Sequence, residues 1–189
     1  QGLPASPDIA SLPGPVDCAV LAIAADATLQ AVRDCAAKGV RSLVVFTAGF
    51  AEMGENGQRL QAEMTAIGRA HGMRIIGPNC LGLYNDHARA YLTFTGIFGD
   101  VAGRRGRIGL VSQSGGYASH VVKLAQERQL DFGTWVTTGN EADVELGEVM
   151  GYLAEDPETD VIVAYIEGIR RRDTFIAALE AARRGLVRP

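Results

Sequence analysis

Apolar positions fall in short continuous runs separated by stretches in which they recur every third or fourth residue. The runs at 16–24, 42–46, 74–76, 107–111, 134–137 and 160–166 predict strands, and their lack of apolar/polar alternation predicts burial on both faces in parallel sheets. Between them the helical period takes over. Leu60, Met64 and Ile67 share one face, Tyr117, Val121, Leu124 and Ala125 a second, and Leu146, Val149, Met150 and Leu153 a third. A last helix carries Phe175, Ile176, Leu179 and Ala182. Gly39, Gly72 and Gly185 follow basic residues and predict helix ends, because glycine suits the left-handed C' position and cations suit the last turn. Strand-helix alternation predicts a doubly wound α/β fold.

The alternation lapses once, between Asn85 and Gly106, where no period is sustained. A structureless stretch of about 20 residues is unusual inside one compact domain. The expected division is therefore a first unit at 1–85, an interdomain connection at 86–106 and a second unit at 107–189. Each unit is expected to hold three strands, with a further strand starting at Leu186. Neither sheet looks complete, and the chain opens on Gln1 and closes at Pro189, so a piece of a longer protein is expected.

Composition narrows the partners. Of 189 residues, 47% are hydrophobic and 21% charged, which suits a globular core and excludes disorder, collagen and coiled coil. The net charge of -4 leaves no basic stripe for nucleic acid. No apolar run reaches the roughly 20 residues of a membrane helix. Cys18, Cys35 and Cys80 are odd in number and lack metal-like or disulfide-like spacing, which fits a reducing, cytoplasmic setting. No metal site is assigned, and the 23 glycines direct attention to turns.

The strongest turn is IGLVSQSGG at 108–116, an apolar strand running into serines and glycines and then an amphipathic helix. Free amides and the positive end of a helix at the carboxyl edge of a sheet suit an anion, with hydroxyls from Ser112 and Ser114. The same pattern also fits a plain cap at Ser114 and a tight turn. GPNCLG at 77–82, TAGF at 47–50 and TGNEADV at 138–144 follow other strands. Cys80 lacks a neighbouring base and reads more readily as a small buried hydrophobe. Glu167 ends the run at 161–166 on the same edge as Ser112 and Ser114, where a carboxylate either orients a histidine or is simply solvated.

Together VDCAVLAIAA, TAGFAEMG, GMRIIGPNCLGLYN, GRIGLVSQSGG, TTGNEADV and DPETDVIVAYIEGI, in this order, resemble the NDP-forming (ADP-forming) acyl-CoA synthetases, relatives of the succinyl-CoA synthetase α subunit. The resemblance implies a partial Rossmann-like CoA-binding domain followed by a flavodoxin-like domain. It implies an acid-thiol ligase working through phosphohistidine and acyl phosphate. It gives Ser112, Gln113, Ser114, Gly115 and Gly116 to the phosphate and Glu167 to the histidine. Ala24, Ala25, Asp26, Thr47, Ala48, Gly49, Phe50, Pro78, Asn79, Cys80 and Asn140 fall at the CoA and acyl end. CoA and a carboxylic acid are the implied substrates. ATP or ADP with magnesium belongs to an ATP-grasp domain or subunit outside this chain, and an oligomer is implied. The family's opening glycine-rich turn and its phosphorylated histidine have no counterpart here, and His71, His87 and His120 lack that histidine's context. The chain alone is therefore expected to be inactive. A CoA-binding regulatory or protein-acetyltransferase scaffold is the other reading. Glu167 beside an intact SQSGG favours the ligase. A nicotinamide enzyme would need a GxGxxG fingerprint that is missing.

Overall fold

The computed structural model describes residues 2, 4–99 and 103–185. Two sheets organise it. In the first, β1 (Cys18–Leu21), β2 (Ser42–Val45) and β3 (Arg74–Ile76) run parallel in that order. The connecting helices α1 (Ala25–Lys38) and α2 (Glu55–Ala70) share its core, with Val32, Cys35 and Met64 packed against Leu43, Val45 and Ile75. α1 ends as the sequence predicts, with Gly39 at φ +83 and its amide returned to Ala36.

The second sheet has five strands in the order β5-β4-β7-β6-β8. β6 (Ile108–Ser112), β7 (Phe132–Thr137) and β8 (Val161–Tyr165) are parallel, whereas β4 (Gly82–Asn85) and β5 (Ala90–Thr93) form an antiparallel hairpin that joins the sheet through β4, antiparallel to β7. α3 (Gly115–Gln126) covers one face through Ala118 and Val122 against Leu110 and Trp135. α4 (Leu146–Glu155) and α5 (Arg172–Gly185) cover the other through Val149, Leu153 and Ala178 against Val111 and Val136. Helices on both faces bury β6 and β7, which explains why these strands read as continuous apolar runs, whereas the edge strand β8 stays partly exposed.

Residues 107–185 hold the three expected strands, but the sheet also takes in the β4–β5 hairpin, so the stretch at 86–106 is not the structureless connection expected. This stretch carries β5 and packs onto the second sheet. Tyr84 stacks on Phe98 at 3.9 Å between ring centroids, and Phe98 meets the edge of Trp135 at 5.4 Å. These side chains bury the segment without any sustained period along it. The strand expected from Leu186 lies outside the described residues.

Asp86, 1% exposed, ties down the same segment. Its carboxylate accepts the amides of Gly103 at 2.7 and 2.9 Å and of Arg105 at 2.7 Å, and the Tyr91 hydroxyl at 2.8 Å. Burial acts to raise its pKa, but these donors outweigh burial and hold it below the ordinary value. Asp86→Asn turns an NH2 group toward those donors, and a loss of about 1–3 kcal/mol is expected at neutral pH. Because the folded carboxyl has the lower pKa, its contribution is present above the unfolded value and fades as pH falls through the folded one. Urea midpoints of the two proteins should therefore converge on acidification. An equal gap at neutral pH and at about pH 3 would contradict this role.

Candidate functional site

The carboxyl ends of the parallel strands in the first sheet deliver three turns to one place. Thr47 Oγ1 donates to the Ile23 carbonyl at 2.8 Å, and the Asn79 amide donates to the Thr47 carbonyl at 2.9 Å. A Cβ on Gly49 would stand 2.9 Å from that of Ala25, so the second turn lies directly on the start of α1. That helix starts after Ala24, which offers no side-chain cap. Ala24, Asp26, Ala48 and Asn79 are exposed, and Ala25 and Gly49 partly so.

Thr47, Phe50, Pro78 and Cys80, expected at the CoA and acyl end, are buried, so their side chains shape the turns from within. Phe50 is 0% exposed and belongs to the core of α1 and α2. The Cys80 thiol donates to the Val45 carbonyl at 3.4 Å, and burial pushes its pKa up to about 11. It remains a thiol at neutral pH, as the small-hydrophobe reading expects.

In the second sheet, β6 ends at Ser112, whose hydroxyl is completely buried. It donates to the Ser114 carbonyl at 2.7 Å and accepts the Ser114 amide at 3.2 Å, so it shapes the turn and is closed to an anion. Ser114 caps α3 by accepting the Tyr117 amide at 3.3 Å. Gly115 is required by packing, since a Cβ there would lie 2.6 Å from Leu81 Cγ. Gly116 has open space around it. The site's capacity for an anion therefore rests on backbone amides and the helix end rather than on the Ser112 hydroxyl.

Glu167 lies two residues beyond β8, and β8 pairs with β6 so that Tyr165 faces Ser112. Its carboxylate is exposed at a cleft of about 350 Å3 shared with Gln113, Gly139, Gly168, Ile169 and Arg170. The expected meeting of Glu167 with the SQSGG turn is thus present. Asn140, expected at the acyl end, spends its side chain joining the two units. Its Nδ2 donates to Glu52 and to Gln61, the latter at 3.0 Å, and its Oδ1 accepts from Asn79 at 3.2 Å. Backbone bonds reinforce the junction, from Asn140 to Pro78, Ala142 to Gly77 and Val144 to Ile75.

Three participants escape sequence reasoning. Glu52 accepts the Gly49 and Phe50 amides of the TAGF turn. Burial works to raise its pKa, but Asn140 and those amides bring it below the ordinary value. Glu141 is 5% exposed and pairs with Arg170 at 3.3 Å. Arg170 also donates to the Asn140 carbonyl at 2.8 Å. Glu52 and Glu141 each combine local partners with distant ones, Asn140 lying 88 residues from Glu52 and Gln113 28 residues from Glu141, and those distant partners cannot be read from the sequence.

Two family models match the chain, a CoA binding domain over residues 1–86 and a succinyl-CoA ligase like flavodoxin domain over residues 105–187. The α subunit of an ADP-forming acetate–CoA ligase II from Pyrococcus furiosus is 36% identical over 176 residues, covering 93% of this chain and 37% of that protein. The chain belongs to the ADP-forming acyl-CoA synthetase family. A trans-feruloyl-CoA synthase from an unidentified prokaryote is 40% identical over 183 residues, 96% of this chain and 26% of that protein. A solved acetyl-coenzyme A synthetase of Ca. Korarchaeum cryptofilum, in complex with phosphate and ADP, superposes with a TM-score of 0.88 at 31% identity, covering 96% of this chain and 38% of that one. The chain thus spans about a quarter to two fifths of these family members. The family models stop at 86 and resume at 105, leaving between them the β4–β5 turn, β5 and the loop held by Asp86. No helix among the described residues is long and apolar enough to cross a membrane.

Proposed function

We propose that this chain is the central part of a cytoplasmic ADP-forming acyl-CoA synthetase that makes a thioester from a carboxylic acid, CoA and ATP. In that reaction the terminal phosphoryl group of ATP moves to a histidine and then to the acid. The CoA thiol then attacks the acyl phosphate carbonyl and inorganic phosphate leaves. The histidine, the nucleotide with its magnesium and the ATP-grasp module, on this chain or a partner subunit, lie outside these residues. The observation that carries the reading is the exposed Glu167 carboxylate sharing a cleft with Gln113, on the turn that leads into α3.

The chain's own contribution is electrostatic and positional. Amides at the start of α3, with the positive end of that helix, hold a phosphate oxygen without reorganising. Glu167 accepts a hydrogen bond from the histidine ring, which fixes its tautomer and its direction toward the phosphate. CoA lies along the exposed parts of the first-sheet turns, at Ala24, Asp26, Ala48 and Asn79, where the uncapped start of α1 suits its phosphates. Cys18, Cys35 and Cys80 are free thiols, in keeping with a reducing compartment.

Titrating inorganic phosphate into this chain while following backbone amides by NMR tests the anion role. The amides from Ser114 to Gly116 are expected to move only at phosphate on the order of 100 mM, since an exposed helix end contributes just about 0.3–1 kcal/mol, against roughly 4 kcal/mol for a millimolar Kd. Movement elsewhere with these amides unchanged would remove the phosphate from this turn.

A further inference from the structure

Glu167 carries the expected catalytic contact, yet its carboxylate has no hydrogen bond or ion pair among the described residues. Its position is set through the backbone, and one side chain supplies that constraint. Gln113 Oε1 accepts the amides of both Glu167 and Gly168, the latter at 3.0 Å. Its Nε2 donates to the Gly168 carbonyl at 2.7 Å and to Glu141 Oε2 at 2.8 Å. Both ends of the amide are used, and a flip would set the NH2 group against two donors and the oxygen against two acceptors. Only one orientation of Gln113 satisfies this surrounding.

Glu141 is fixed in turn. Its Oε1 accepts the Thr138 hydroxyl at 3.0 Å and the Leu146 amide at 2.7 Å, and Arg170 closes on its Oε2. A nearly buried carboxylate with every partner in place is a rigid anchor. Glu141 also stands at φ +54, a left-handed conformation that is uncommon outside glycine and that this network holds in place. The chain of contacts runs from the loop after β7, through Gln113 on the loop after β6, to the loop after β8.

We propose that Gln113 and Glu141 form a clamp that positions Glu167 for the histidine, and that Gln113 does this rather than bind the phosphate. The proposal rests on the synthetase reading of Glu167 given above. Both residues are positioning residues acting through Glu167. Their substitution should alter phosphoryl transfer without altering CoA affinity.

The test uses the complete synthetase. Gln113→Met keeps the volume and removes all four hydrogen bonds. Glu141→Gln keeps the volume and withdraws one acceptor. Phosphoenzyme formation from ATP is followed by rapid quench, and CoA affinity by calorimetry. Outer partners of a catalytic group typically contribute 10- to 100-fold, so Gln113→Met is expected to slow phosphorylation at least tenfold with CoA affinity within about twofold. The decisive measurement is made in the Glu167→Gln background, where Gln113→Met should add no further loss. If Gln113→Met does not fold, Glu141→Gln is put through the same cycle and should show a smaller loss that also vanishes in that background. A wild-type rate in the clamp variants alone, or a loss that multiplies with that of Glu167→Gln, would overturn the clamp and leave the role of Glu167 standing. A wild-type rate in Glu167→Gln itself would overturn both.

Discussion

In the complete enzyme, Glu167→Gln is expected to reduce acyl-CoA synthesis on the order of 100-fold, the usual consequence of removing one preorganised electrostatic contact from a reacting centre. The substitution keeps the size of the side chain and removes its charge. Exposure of the carboxylate and the lack of a partner among the described residues mean that the change disturbs little else in the fold. CoA should bind as before, because its proposed contacts lie on the turns of the first sheet. Calorimetry with CoA is thus the internal control for steady-state synthesis. A variant that makes acyl-CoA at the wild-type rate would remove Glu167 from the mechanism.

The second large effect is structural. Gly139→Ala is expected to destabilise the chain by about 3 kcal/mol, near the upper end of what single substitutions do. Gly139 has φ +56, where an L side chain is strained, and its Cβ would stand 2.3 Å from the Pro78 carbonyl oxygen and 2.5 Å from that of Asn79. Those contacts are backbone, so no side chain can swing aside. Either the GPNC turn or the loop after β7 must move, and the bonds linking Asn140 to Pro78 and to Asn79 weaken with it. Gly116→Ala is the comparison, because nothing lies within 4 Å of its Cβ and its conformation is helical. It should be neutral or slightly stabilising in a urea titration. Equal midpoints for the two variants would contradict the steric account of the junction.

The parallel strands were legible because each is an unbroken apolar run, although only β2, β6 and β7 are buried along nearly their whole length and β8, at the sheet edge, leaves Val161 and Ala164 exposed. The run at 74–76 coincides with β3, and that at 160–166 brackets β8 (Val161–Tyr165). The hairpin was not legible for the complementary reason. β4 and β5 have four residues each, and Asp86 at their turn looks solvated in sequence although it is buried by donors from Gly103 and Arg105. The meeting of Glu167 with the SQSGG turn could be read because parallel strands deliver their carboxyl ends to one edge. Which way the side chains there face could not. Ser112 turns its hydroxyl back onto the Ser114 backbone, and Gln113 turns its amide across to Gly168. Both choices depend on partners brought in by other strands, as does the burial of Glu141 beneath Arg170.

The central claim is that phosphate passes through the protein on its way from ATP to the acid. Complete enzyme incubated with γ-labelled ATP and magnesium, then quenched, should carry base-stable, acid-labile label on the polypeptide. Addition of the carboxylic acid and CoA should discharge that label as inorganic phosphate, one for each thioester formed. The Glu167→Gln enzyme should acquire label far more slowly. Thioester formation with release of AMP and pyrophosphate, and no label on the protein at any time, would contradict the account.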